Sequence, residues 1–262
     1  MSLDKIKKLA SPVRMLNLGC GNRWHRDWIN LDFNSNSEFV QKHNLYEPLP
    51  FENNSVDVVY SSHVLEHFPK CFAPIFLKEC YRVLKSGTII RVVVPDLEMI
   101  VRDYIEFLHG AKAGHLDSQE KYEWVMLKLF DQVVRNTSGG EMVRYWSNMP
   151  ESQKNFVVER TGSELLNYLN NNIGKGKVSQ HLECKKLDPF KVGKFRLSGE
   201  VHQWMYDSYS LKKLLFDVGF RDVKKVEADE STIPDFNSYC LDIESDGSVR
   251  KPDSLFIEAI KI

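Results

Sequence analysis

MLNLGCGNRWHRDWINLD, Met15 to Asp32, decides how this chain is read. It opens within a short apolar strand, Val13 to Leu18, that runs into a Gly19-Cys20-Gly21 turn, and a second short strand, Trp28 to Leu31, ends on the acid Asp32. A strand feeding a glycine pair marks a place where backbone passes unusually close to something, because glycine adopts the required dihedrals freely and carries no Cβ. A nucleoside-containing cofactor is the expected neighbour. Two phosphate-binding patterns fail here. The dinucleotide fingerprint wants a third glycine where Trp24 stands, and a phosphate-cradling loop wants Gly-Lys-Ser/Thr where Gly21 is followed by Asn22-Arg23. Asp32 remains, at a strand end where one carboxylate accepts both hydroxyls of a ribose. A cofactor with an adenosine ribose and no phosphate fits this pattern.

Working outward, Trp28 follows Gly21 by only seven positions. A βαβ crossover needs a dozen residues or more, so the first crossover helix is shortened or lost, leaving an opening beside Trp24 and Trp28. His43-Asn44-Leu45 reads as a third strand with its exit loop. Val56 to Ser61 is continuously apolar, as a parallel strand buried on both faces requires. Pro74 opens a helix that turns Phe76, Cys80, Val83 and Leu84 to one side and closes at Ser86-Gly87. Ile89 to Val94 is another buried strand, ending at Pro95-Asp96. This alternation predicts an α/β fold with a doubly wound, mostly parallel sheet.

From Leu97 to about Tyr206 the alternation stops. Leu97, Ile100, Val101, Tyr104, Ile105 and Leu108 make a helical stripe, and capping boxes are expected at Asp117 with Glu120 and at Thr161 with Glu164. Asn170-Asn-Asn, Gly174, Gly176 and a basic stretch follow. At about 110 residues this is a helical insert rather than a loop. Ser210 then caps a helix with Leu211, Leu214, Leu215 and Val218 inward and Gly219 at its end. Val223 to Ala228 and Leu255 to Ile260 form the final strand pair.

Together, LNLGCG, Asp32, SVDVVYSSHVLEHF and YRVLKSGTIIRVVVPD resemble the Rossmann-like methyltransferases that depend on S-adenosylmethionine (SAM). The later HQWMYDSYSLKKLLFDVGF and KPDSLFIEAIKI look like a subgroup associated with bacterial polysaccharide and glycan biosynthesis. The resemblance implies a seven-stranded sheet with an antiparallel final pair and SAM as cofactor. With the insert following a strand's C-terminal end, the chain is expected to divide into a SAM-binding core, residues 1–96 and 208–262, and a helical cap, residues 97–207, over the acceptor site. The resemblance also implies cofactor contacts from Gly19, Cys20, Gly21, Asn22 and Asp32 on the first strand pair. Asn44, Leu45, Ser61 and His63 supply the others. Asn44 stands where the family often has an Asp against the adenine, and it serves equally as a turn-forming residue.

Composition bounds the function. With 262 residues, 42% of them hydrophobic, the chain can bury one core, or one core and an insert, and a net charge of −1 gives no general reason to expect nucleic acid or a membrane surface. The longest apolar runs are too short to span a bilayer. The charged N-terminus lacks a signal peptide's apolar stretch, so a cytoplasmic location is expected. Five cysteines with no Cys-x-x-Cys spacing indicate neither a disulfide frame nor a zinc site. Residues 174–196 hold seven Lys/Arg against two acids, a run that is either solvated surface or a docking face for an anionic acceptor.

Transfer to a hydroxyl needs a base. His63 and His67, four apart with Glu66 between them, are the first candidates, and Asp96 and His202 follow. The same His63-x-x-Glu66-His67 spacing suits a divalent ion, but structural roles are favoured and no metal is expected. Asp96 reads equally as a Pro-Asp turn. His202, Trp204, Tyr206 and Tyr209 form an aromatic group that either stacks on a sugar or packs the insert. The expected activity is methyl transfer to a small molecule or glycan, at oxygen. The rivals are a nucleotide-sugar oxidoreductase on a Rossmann fold and a non-catalytic SAM-binding protein.

Overall fold

The computed structural model describes residues 13–35, 37–172 and 187–262. The N-terminal lead-in, Gly174, Gly176 and the basic residues up to Lys186 lie outside them. Seven strands make one sheet: β1 (Met15–Leu18), β2 (Ile29–Asp32), β3 (Val40–Lys42), β4 (Val56–Ser62), β5 (Leu84–Pro95), β6 (Phe220–Val226) and β7 (Ser254–Lys261). Their order is β3-β2-β1-β4-β5-β7-β6. Pairing is parallel from β3 through β5, and β7 is antiparallel to both its neighbours. The expected α/β sheet with its antiparallel closing pair is present. Strand order reverses between β1 and β4, and a ligand crevice belongs at the carboxyl ends of strands around such a switch point.

Period-two alternation splits the sheet into two faces. Leu16, Leu18, Val59, Ile90, Val92, Leu255 and Ile257 point to a cluster completed by two helices, α1 (Ala73–Val83) and, near the end of the chain, Ser208–Val218. Met15, Val58, Tyr60, Val93 and Phe256 face the other way. Their cover is an irregular segment contributing Ala228, Ile233, Phe236, Leu241 and Ile243. As the short spacing predicts, no helix joins β1 to β2.

Several local expectations shift. The third strand lies before His43, because Asn44 folds the chain: its side chain accepts the Tyr46 N–H at 3.1 Å. α1 stops at Val83, and Leu84 enters β5 directly opposite Val56, so Ser86-Gly87 sit inside the strand rather than after the helix.

The insert supplies α2 (Leu97–Lys112), α3 (Leu116–Val134), α4 (Gly140–Asn148), α5 (Lys154–Thr161), α6 (Ser163–Asn171) and α7 (Pro189–Arg196), with α8 (Ser208–Val218) returning to the sheet. Its helices share a separate core of Ile100, Phe107, Trp124, Val125, Met142, Val157 and Leu165, while Val101 and Ile105 of the anticipated stripe face outward. Neither anticipated capping box forms. Asp117 lies inside the first turn of α3 and pairs with Lys121, and Thr161 ends α5 with its hydroxyl donating to the Val157 carbonyl. The box that does form is Asp207 with Ser210 at the start of α8, three residues ahead of the expected cap. Among the described residues no helix is long and apolar enough to cross a membrane.

Candidate active site

At the carboxyl ends of β1, β2 and β4 lies a cleft of about 580 Å³, lined by Gly19, Asp32, Asn44, Leu45, His63 and His67 among others. That volume is in the range of small-molecule and cofactor sites. Its floor is shaped by the two glycines in different ways. Gly19, at φ +66°, is pressed against Val64, whose Cγ2 would lie 2.2 Å from any added Cβ. Gly21, at φ +51°, faces open space and is needed for its backbone direction: its N–H donates to Asp32 Oδ2 at 2.8 Å. The other Asp32 oxygen accepts the Asn34 N–H at 2.9 Å. An ionised carboxylate has about four acceptor positions, so two remain for ligand hydroxyls.

The structure brings Gly19, Asp32, Asn44, Leu45 and His63 together around this cleft. Cys20 is buried, with its thiol pushed up to about 12 first by burial and then by the Asp32 charge. Asn22 is exposed, and Ser61 is buried in β4 with a hydroxyl that has no hydrogen-bond partner among the described residues. None of these three side chains lines the cleft.

Opposite Asp32, β4 ends and the chain makes a tight turn, Leu65–His67. His63 enters it at φ +55°, the left-handed region, while its N–H still donates to the Val93 carbonyl of β5. Its ring is held from both sides: Nε2 is 3.0 Å from Ser254 Oγ of β7 and Nδ1 is 3.2 Å from Glu66 Oε1. Glu66 is fully buried. That contact is within ion-pair reach, yet among the described residues neither Glu66 oxygen has an aligned hydrogen-bond donor. Burial pushes its carboxyl up to about 8.

The Glu66 carbonyl accepts the N–H groups of Gln203 and Trp204, which fastens the turn to the returning end of the insert. That end carries His202, whose ring meets His67 edge-on at 4.8 Å and whose Nε2 lies 4.0 Å from Glu66 Oε1. Burial lowers His67 to about 4 and His202 to about 2, and it holds His63 well below its ordinary value, with the positive charges of Lys251 and Arg250 adding to the shift. All three imidazoles are therefore neutral near pH 7, the form that accepts a proton.

Glu66, His67 and His202 each present one ligand atom within 4.8 Å of the others, so the set that converges differs from the His63, Glu66, His67 spacing read in the sequence. Asp96 is elsewhere: it caps α2 by accepting from Glu98 and Met99, and it pairs with Lys225. Tyr206 is buried, whereas Trp204 and Tyr209 keep exposed ring surface. Sequence reading missed Ser254 and Val64. Ser254 reaches His63 only because β7 pairs with β5 in the register that sets it against Pro95, and no local pattern announces that.

Residues 16–92 match the family model of a methyltransferase domain. No curated protein matches the sequence. Solved structures of similar shape include a SAM-dependent methyltransferase from Archaeoglobus fulgidus, 17% identical over 98% of this chain and 90% of that one, with a TM-score of 0.41. Another is a SAM-dependent methyltransferase from Thermotoga maritima, 14% identical over 99% and 87%, TM-score 0.38. YcgJ from Bacillus subtilis is 10% identical over 98% and 95%, TM-score 0.40. At such scores none of these bears on activity or substrate. The domain match spans residues 16–92 of the 262, and the cofactor that such a domain implies is SAM. The residues fit that cofactor, since Asp32 keeps acceptor capacity toward the cleft and Gly21 leaves open space where a side chain would stand.

Proposed function

We propose that the protein moves the methyl group of SAM to a hydroxyl oxygen of a small molecule or glycan, and that His63 takes the hydroxyl proton. SAM supplies a methyl already activated on a sulfonium, so the protein's tasks are to align the acceptor, exclude water and accept a proton. Asp32 and Gly19 mark the cofactor's end of the cleft, with Asn44 and Leu45 beside them. The observation that carries the base assignment is the place of the His63 ring: it borders the cleft at the end of β4, with Nε2 3.0 Å from the Ser254 hydroxyl.

In this reading residues 1–96 and 208–262 form the cofactor core and residues 97–207 cap the acceptor site. Support comes from Leu197, Ser198 and Gly199, which extend from the insert to the cleft wall. The glycan option is supported by Trp204 and Tyr209, 40% and 76% exposed, whose ring faces are of the kind that stack on sugars.

His63→Gln should lower turnover about a hundredfold while SAM still raises the melting temperature as in the wild type. Asp32→Ala should do the reverse to the cofactor, weakening SAM at least about tenfold through lost charge-assisted hydrogen bonds. Near-normal turnover in His63→Gln, measured with labelled SAM against a panel of hydroxyl acceptors, overturns the base assignment. Inhibition by a chelator, reversed by a divalent ion, would instead give Glu66, His67 and His202 a metal role.

A further inference from the structure

A buried polar atom without a partner is costly, and native proteins leave few. Glu66 carries two on one side chain: it is fully buried, and neither carboxylate oxygen has a hydrogen-bond partner among the described residues. What faces them is nitrogen. His63 Nδ1 is 3.2 Å from Oε1 but out of line for donation, and His202 Nε2 is 4.0 Å from the same oxygen, too far for a hydrogen bond. The His67 ring meets the His202 ring edge-on at 4.8 Å. One ligand atom from each of Glu66, His67 and His202 lies within 4.8 Å of the other two.

These spacings leave room for an ion among the three. Ligands about 2.1 Å from a tetrahedral zinc ion stand about 3.4 Å apart, so side chains at the present separations have to draw in by roughly 1 Å. The backbones that carry them are already tied. The Glu66 carbonyl accepts the Gln203 and Trp204 N–H groups, and the His202 N–H donates to the Gln132 carbonyl of α3 at 2.9 Å. His67 Nδ1 lies 3.3 Å from the Val201 carbonyl. A carbonyl only accepts, so Nδ1 carries the proton and Nε2 the lone pair, which is the outer hydrogen bond that metal-bound histidines make. His67 also lines the cleft, which gives an ion its way in.

We propose that Glu66, His67 and His202 bind a divalent transition ion of the zinc type, which clasps the returning insert to the turn after β4. Two imidazoles and one carboxylate suit zinc and its neighbours, whereas magnesium and calcium take oxygen ligands. A dication also compensates the charge of a buried carboxylate. The local spacing offered His63 as the second histidine; the insert supplies His202 in its place. This site stands without the methyl-transfer reading and is tested without turnover.

The probe is zinc, titrated by calorimetry into protein stripped with EDTA and then dialysed free of it, with cobalt substituted for visible spectra. Zinc should bind saturably and raise the melting temperature, and the cobalt form should show ligand-field absorption that added zinc abolishes. His202→Gln and Glu66→Gln should each weaken zinc at least about a hundredfold, beyond what loss of an outer hydrogen bond causes. Melting curves in EDTA show that each variant folds; His67→Ala, on the half-buried cleft side, replaces either one that does not. His63→Gln and the exposed His115→Gln should keep wild-type zinc affinity. Stripped protein is also the form in which the three side chains titrate as free groups, so pH series on them are run in EDTA. No saturable zinc binding, wild-type affinity in the ligand variants, or an equal loss in His63→Gln overturns the proposal. A melting temperature that SAM raises and zinc does not removes the ion site and leaves methyl transfer standing.

Discussion

Two buried polar clusters flank β4, and they are built on opposite principles. Around Arg91 of β5 every donor is used: Nε gives to Asp242, Nη1 to Glu258 and the Glu230 carbonyl, and Nη2 to the carbonyls of Glu227 and Ala228. Phe236 and Phe256 lie over the guanidinium, and the Tyr60 hydroxyl donates to Asp242. Around Glu66 the account is left open, with a buried carboxyl lacking aligned donors among the described residues and three imidazoles kept neutral. A satisfied network fixes one structure. A half-satisfied one beside a cleft, with ionisation pushed far from ordinary values, is a candidate functional site.

Breaking the satisfied cluster should have the largest effect. Arg91→Met leaves Asp242 and Glu258 buried without their cation and frees the segment that covers one sheet face, at a cost of about 3–5 kcal/mol. Denaturant unfolding at neutral pH measures it. Adding Asp242→Asn and Glu258→Gln to Arg91→Met removes the stranded charges and should return part of the loss. A single variant as stable as the wild type would show that Arg91 does not hold that face.

The second lever is acid. His67 and His202 sit at about 4 and about 2 in the fold against 6.5 in the unfolded chain. Between those limits the unfolded chain binds protons that the fold refuses, so stability is full above about 6.5 and falls as pH drops toward 4. For His67 the whole span amounts to roughly 3 kcal/mol. His202→Gln should flatten this acid limb in melting curves taken across that window; an unchanged limb would place the sensitivity elsewhere.

The same contrast explains what sequence could disclose. Gly19, Gly21, Asp32 and the alternating strands of the helix-covered face were legible, because dihedral demands and apolar periodicity are local properties. Arg91 in the middle of an apolar strand reads as an interruption. Its partners lie more than a hundred residues away, Asp242 in a segment without helical or strand periodicity and Glu258 across the sheet on β7. His63 and His67 were legible as candidates, but their neutrality was not, since His67 is buried under Val201 and His202 on the returning insert and His63 is held between Glu66 and Ser254 of β7. Asp96 misled because a residue at the mouth of a core strand and a helix cap look alike in one dimension.

The smallest effect on stability should come from Glu66→Gln, and its pH dependence makes it the sharpest test of the contrast. Burial raises the Glu66 carboxyl to about 8 from an ordinary 4.5. Between those values the fold keeps a proton that the unfolded chain has released, so this group's stabilising contribution is present in full below 4.5 and is lost as pH rises through 8. Near pH 5 the protonated acid and the amide are close to isosteric, and the variant should match the wild type within about 1 kcal/mol. As pH rises to 8 the wild type should lose stability and the variant should not, so their melting curves cross or diverge in the variant's favour. If Glu66→Gln instead lost stability at every pH, as Arg91→Met should, the two clusters would be alike and the Glu66 group would be structural.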